Sequence, residues 1–125
     1  VREYAVSGSD PATARRGDVW WADLPGAVGS APGYRRPVVI ISADTFNVST
    51  IRTVTVAVLT SNVRLADGPG NVRVAAGEAG LGRDSVINVS QVLTTDRAAL
   101  TQHIGRLRPG TMTRVDAGLR LALGL

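Results

Sequence analysis

The 125 residues contain no cysteine, so disulfides and thiolate metal sites are excluded. Lysine is missing too: all 14 basic residues are arginine. A GC-rich coding sequence accounts for that bias without selection. Arginine nonetheless suits phosphate, because its planar fork donates two parallel hydrogen bonds and stays charged at any working pH. Aromatic residues are scarce, with one Phe, two Trp and two Tyr, so few side chains are available to stack on a flat ligand. There is one histidine, His103, and its neighbours in sequence supply no second ligand at metal-binding spacing. No run approaches the roughly 18 consecutive apolar residues of a membrane span, and the N-terminal residues lack a basic-then-apolar signal pattern. A soluble, cytoplasmic protein with no membrane partner is expected.

What is present is an apolar fraction of 44%, enough for one modest core, and a net charge of +4 that favours a polyanionic partner. Residues 1–14 show no sustained periodicity and read as a flexible N-terminal extension, leaving residues 15–125 as a single domain. Val19–Leu24 reads as a first strand, its alternation sending the adjacent Trp20 and Trp21 to opposite faces. Arg35-Arg36-Pro37 then leads into Val38–Ile41, a buried β-branched strand, with Pro37 expected as its first residue. Two guanidiniums thus stand where a Gly/Pro-rich loop meets a stiff element. A short turn at Ala43–Asn47, with Asp44 able to cap it, precedes a third strand over Thr53–Leu59, which ends at Thr60-Ser61-Asn62. Further strands are expected over Asn71–Ala75 and Asp84–Val92. A short helix over Arg97–Thr101 and an extended piece at Ile104–Leu107 follow. From Pro109 the spacing of Met112, Val115, Leu119, Ala122 and Leu123 predicts an amphipathic C-terminal helix. The fold class is α+β and mainly β, a small antiparallel sheet or barrel with short helices.

Several pieces in order carry a resemblance. Arg16-Gly17-Asp18-Val19-Trp20-Trp21-Ala22-Asp23-Leu24, Gly29-Ser30, Arg36-Pro37-Val38-Val39-Ile40-Ile41, Leu59-Thr60-Ser61-Asn62, Arg83-Asp84-Ser85-Val86-Ile87 and Gln91 together resemble the MazF/PemK family of toxin-antitoxin endoribonucleases. The resemblance runs from about Arg15 to the C-terminus. It implies an SH3-like β-barrel, a homodimer, cleavage of single-stranded RNA without a metal or other cofactor, and silencing by a cognate acidic antitoxin. It also implies growth inhibition through loss of mRNA, and contact with operator DNA only through the antitoxin complex.

In metal-free RNA cleavage the 2′-hydroxyl attacks the adjacent phosphorus, so a site must move two protons and neutralise the phosphoryl oxygens. The resemblance makes Arg36 and Thr60 the counterparts of the family's catalytic arginine and threonine. A guanidinium is too weak an acid for easy proton transfer, so charge stabilisation is the role expected of Arg36. Some members carry an Arg-x-Asp pair on the fifth strand and a His in the loop; Asn88, Ser90 and Ser30 stand there in this chain. A carboxylate base is therefore missing at that position, and the acid and base roles stay open. Candidate RNA contacts are Ser30, Arg35, Ser61, Asn62, Arg83, Gln91 and Trp20, with the loops Ala27–Tyr34, Ser61–Pro69 and Ala76–Arg83 the places to read bases. The alternative is a non-enzymatic toxin of similar barrel fold acting on a topoisomerase, or an RNA- or protein-binding adaptor.

Overall fold

The computed structural model describes residues 10–25 and 34–125. Its elements are β1 (Asp18–Leu24), β2 (Tyr34–Ile40), α1 (Asp44–Asn47), β3 (Thr53–Thr60), β4 (Val72–Val74), β5 (Ser85–Asp96), β6 (Leu100–Arg106) and α2 (Pro109–Leu123). The six strands form one curled antiparallel sheet in the order β4-β5-β3-β2-β1-β6. The mainly β, half-barrel architecture with a C-terminal helix agrees with the sequence reading.

The central strands are apolar on both faces, and each face buries its own cluster. Val19, Val39, Ala57, Leu59, Ile87 and Val89 pack with Leu107, Val115 and Leu119 of the α2 region. The alternate residues Trp20, Ala22, Val38, Ile40, Val54, Val56 and Val58 pack with Ala14 and Leu100. That is why these strands read as near-continuous hydrophobic runs. Each fully buried Val or Ile contributes on the order of 1.5–3 kcal/mol relative to exposure.

Four details differ from expectation. β2 begins at Tyr34, so Pro37 is its fourth residue and not its first. Proline fits there because the ladder to β3 begins only at Val38, which makes β2 an edge on that side at Pro37. β5 runs on to Asp96 because the long β3 continues to pair with it down to Thr53. Instead of a helix over Arg97–Thr101 there is a single 3₁₀ turn, Arg97–Ala99, since Leu100 and Gln102 are already paired to β1. Asp44 does not cap α1; its carboxylate accepts the Arg16 N–H at 2.7 Å and the Asn47 side-chain N–H at 2.9 Å. Partial burial pushes that carboxyl up, but these two hydrogen bonds and the charges of Arg15 and Arg106 outweigh it and hold its pKa below the usual value.

Of the predicted helical stripe, Val115 and Leu119 are buried and Met112 is half-buried, whereas Leu123 is exposed. α2 lies close enough to the β3-β4 connection that a Cβ at Gly118 would stand 2.0 Å from the Gly70 carbonyl oxygen. Only glycine permits that approach. Asp10 caps a 3₁₀ turn over Pro11–Thr13, and Ala14 is fully buried in the second cluster. No helix among the described residues is long and apolar enough to cross a membrane.

Candidate active site

Arg36 and Thr60 stand on neighbouring strands. The β2–β3 ladder pairs Ile40 with Val56 and Val38 with Val58 and goes no further. Carried two residues past its last pair, that register would set Arg36 level with Thr60, although no ladder pair joins them. Alternation sends both side chains to the face of Val38 and Val58. They therefore share one face at the point where the two strands part, Arg36 exposed and Thr60 half-buried. The Thr60 Oγ1 accepts the Asn62 N–H at 3.1 Å, so the hydroxyl proton stays available to another acceptor. The Arg36 guanidinium lies 5.4 Å from the centre of the Tyr34 ring, on the same face.

The other face of this end of the sheet is a groove of about 450 Å³. Trp21, Pro37, Leu59 and Leu81 give it an apolar floor, Arg35, Arg36 and Arg83 line it with positive charge, and Ser61 and Ser85 supply hydroxyls. Arg36 borders both this groove and the Thr60 side. Among the described residues no carboxylate lines the groove. The register explains its composition: Trp21 faces Pro37 across the β1–β2 ladder, and Leu59 lies next to the last β3 residue.

Of the remaining sequence candidates, Arg35 stacks on Trp21, its Cζ 4.4 Å from the ring centre. Asp84 is taken up by Arg73 at 2.9 Å and by the Ala76 N–H at 2.8 Å, which holds the end of β4 against the start of β5. The Ala76 hydrogen bond, then the Arg73 side chain, keeps the Asp84 carboxyl below its usual pKa. Among the described residues no carboxylate lies within salt-bridge distance of Arg36 or Arg83. Asn62 turns its side-chain oxygen to the Arg64 N–H at 3.2 Å and so caps a 3₁₀ turn over Val63–Asp67. Gln91 is exposed in a stretch of β5, Val89–Gln91, that has no partner in β3, and it lies outside the groove lining. Asn88 accepts both the N–H and the hydroxyl of Ser90. Ser30 and the loop Ala27–Gly33 lie outside the described residues. Of the two other loops expected to read bases, one holds the 3₁₀ turn at Val63–Asp67 and the other a turn at Glu78–Gly80.

Trp20 requires a correction. It is 0% exposed, in the second core cluster and edge-on to His103 at 5.3 Å, so no base reaches it. Trp21, its neighbour on the opposite face, is the tryptophan of the groove. Sequence reasoning also missed Leu81, Ser85 and Gln102, the last of which accepts a hydrogen bond from Arg35 at 3.0 Å. Alternation separates the two tryptophans but does not say which face is sealed. That depends on what packs against β1 from elsewhere in the chain.

Residues 15–123 match the family model described as PemK-like, MazF-like toxin of type II toxin-antitoxin system. The chain is 44% identical over 110 residues to Endoribonuclease MazF6 of Mycobacterium tuberculosis, covering 88% of this chain and 96% of that protein. It is 40% identical over 111 residues to Endoribonuclease EndoA of Bacillus subtilis, covering 89% and 95%. Among solved structures, it is similar to a mycobacterial endoribonuclease in complex with its cognate antitoxin, with a TM-score of 0.73 and 26% identity over 90% of this chain and 97% of that one.

Proposed function

Since the chain belongs to the PemK-like, MazF-like toxin family of type II toxin-antitoxin systems, we propose that its endoribonuclease chemistry is carried by Arg36 and Thr60. The protein is a toxin that cuts RNA and has an antitoxin as partner. The observation that supports the site is the register of β2 against β3, which continues to bring a guanidinium and a hydroxyl to one face where the strands separate.

The reaction uses the substrate's own nucleophile. The 2′-oxygen bonds to phosphorus as the bond to the 5′-oxygen breaks, one proton leaving the 2′-hydroxyl and one reaching the 5′-oxygen. The products are a cyclic phosphate and a free 5′-hydroxyl, with no water consumed in this step. DNA lacks the 2′-hydroxyl and is not cut. Charge on the non-bridging oxygens grows toward the transition state, and a positioned guanidinium there is comparable to an oxyanion-hole donor, about 10²–10³ in rate. The Thr60 hydroxyl, with its oxygen occupied by the Asn62 N–H, donates its proton to the same phosphoryl group.

Single-stranded RNA fits the arginine-lined groove by charge. The same groove suits an acidic segment of the antitoxin, which would cover the arginines and block RNA. Operator DNA would be met only through that complex. A homodimer is the expected assembly, supported by Phe46, Ile51, Leu123 and Leu125, large exposed apolar side chains around a second groove beside α2. Sedimentation as a monomer at micromolar concentration would undo it.

The experiment for the site is incubation of the wild-type and Arg36→Ala proteins with RNA in chelator. Cleavage by the first and its near-loss in the second is the expected result. Intact RNA with the wild type, or full activity in the variant, would overturn the assignment.

A further inference from the structure

We propose that Trp21 and Arg35 form a stacking subsite that seats one unpaired nucleobase of the RNA beside the scissile phosphate. The proposal rests on the endoribonuclease reading above and adds to it the residues that hold a base.

The two side chains form a layered pair, with the Arg35 Cζ 4.4 Å above the indole centre, well inside cation–π distance. The layer is held in place from β6. Arg35 Nη2 donates to Gln102 Oε1 at 3.0 Å, Gln102 pairs with Trp21 in the β1–β6 ladder, and the Thr101 hydroxyl donates to the Trp21 carbonyl oxygen at 3.2 Å. A guanidinium so tethered loses little entropy when a ligand arrives. Arg35 is exposed and Trp21 half-buried, so the pair presents a flat surface to the groove rather than sealing it.

The chemistry of the groove selects the occupant. Among the described residues its lining has three arginines and no carboxylate around an apolar floor, and about 450 Å³ is room for a base with part of its sugar. Unpaired bases are bound by stacking on aromatic rings and guanidinium planes, each worth enough that losing one weakens binding roughly 5- to 100-fold. An acidic peptide would satisfy the charges but gain nothing from a flat two-layer surface. Strand geometry then divides the work between neighbouring residues. Arg35 lies over Trp21 inside the groove while Arg36 stands at the groove's border with the Thr60 side, so one meets the base while the other meets the phosphate.

The test measures binding of a single-stranded, fully 2′-O-methylated RNA of mixed sequence, which lacks the nucleophile and is not cut. Trp20 is buried, so quenching of indole fluorescence reports on Trp21. The wild type should be quenched by this RNA. Read from the fluorescence anisotropy of the same RNA carrying an end label, Trp21→Ala and Arg35→Lys should each weaken binding about 5- to 100-fold, while Trp21→Phe, which keeps an aromatic face, should lose less than Trp21→Ala. With cleavable RNA the same variants should raise KM more than they lower kcat. Binding by Trp21→Ala equal to the wild type would overturn the proposal, as would an Arg35→Lys protein unaffected because only charge matters. So would weakened binding of the antitoxin with RNA binding unchanged, which would mark a protein-docking surface instead. If Trp21→Ala does not fold, Arg35→Lys and Trp21→Phe decide the matter. Quenching without cleavage by the wild type would leave the subsite standing and refute the nuclease reading. Cleavage with unaltered binding by the variants would do the reverse.

Discussion

The two halves of β2 have opposite fates. From Val38 to Ile40 the strand is paired to β3, and as far as Val39 to β1 as well, and its side chains are fully buried. From Tyr34 to Pro37 it is paired to β1 alone and carries two exposed arginines. The change comes at Pro37, where the ladder to β3 has ended. One strand thus anchors itself in the core with one end and holds cations out at the other. A charge on such a strand is positioned without being desolvated, and loss of that charge should be separable from loss of fold.

Substitutions in the two halves should break the contrast in opposite ways. Ile40→Ala should cost about 2–5 kcal/mol of stability, seen as a lower denaturant midpoint, with the remaining folded protein as active as before. Arg36→Ala should leave that midpoint within about 0.5 kcal/mol yet lower the cleavage rate about 10²–10³-fold. An Arg36→Ala protein that unfolds early would mean the outer half is structural after all. Thr60→Val keeps the β-branched shape and removes one hydrogen bond to a charged group, about 1.5–3 kcal/mol or roughly 10- to 150-fold in rate. Circular dichroism melts of the variant should fall only slightly below the wild type, because the bond that Thr60 Oγ1 accepts from the Asn62 N–H is lost at an exposed site.

The smallest effect concerns acid. Asp44 and Asp84 both have pKa values lowered in the fold, so the unfolded chain binds their protons first as pH falls. Their contribution to stability is present above the unfolded carboxyl value near 3.8 and is lost as pH drops below it, through the lowered folded values. Thermal melts of Asp44→Asn should therefore show a shallower decline between neutral pH and pH 3 than the wild type. An identical decline would show that the Arg16 and Asn47 hydrogen bonds do not bias its proton.

Much of this was legible beforehand, and the parts that were not share a cause. β1, β3 and α2 follow from alternation and helical spacing because those patterns are local. The start of β2, the length of β5 and the turn at Arg97–Ala99 depend on which strand lies alongside, and no local pattern carries that. The same holds for Trp20. Residue type and alternation offered two tryptophans on opposite faces, and only the arrival of His103 and Leu100 on one of them identified the buried one. Asp84 shows it for charge: beside Arg83 in sequence, it is paired instead to Arg73.

By itself the sequence determined the mainly β class, the amphipathic last helix and the family through its ordered motifs. Each of these is a matter of residue type and spacing along the chain. Tertiary structure alone decided that Arg36 and Thr60 lie on adjacent strands, that Trp21 faces the groove while Trp20 is sealed, and that Arg35 lies over an indole tethered from β6. Strand register and sheet order join residues as far as 88 positions apart, Asp18 with Arg106. They follow from the packing of the whole core rather than from any one segment of it.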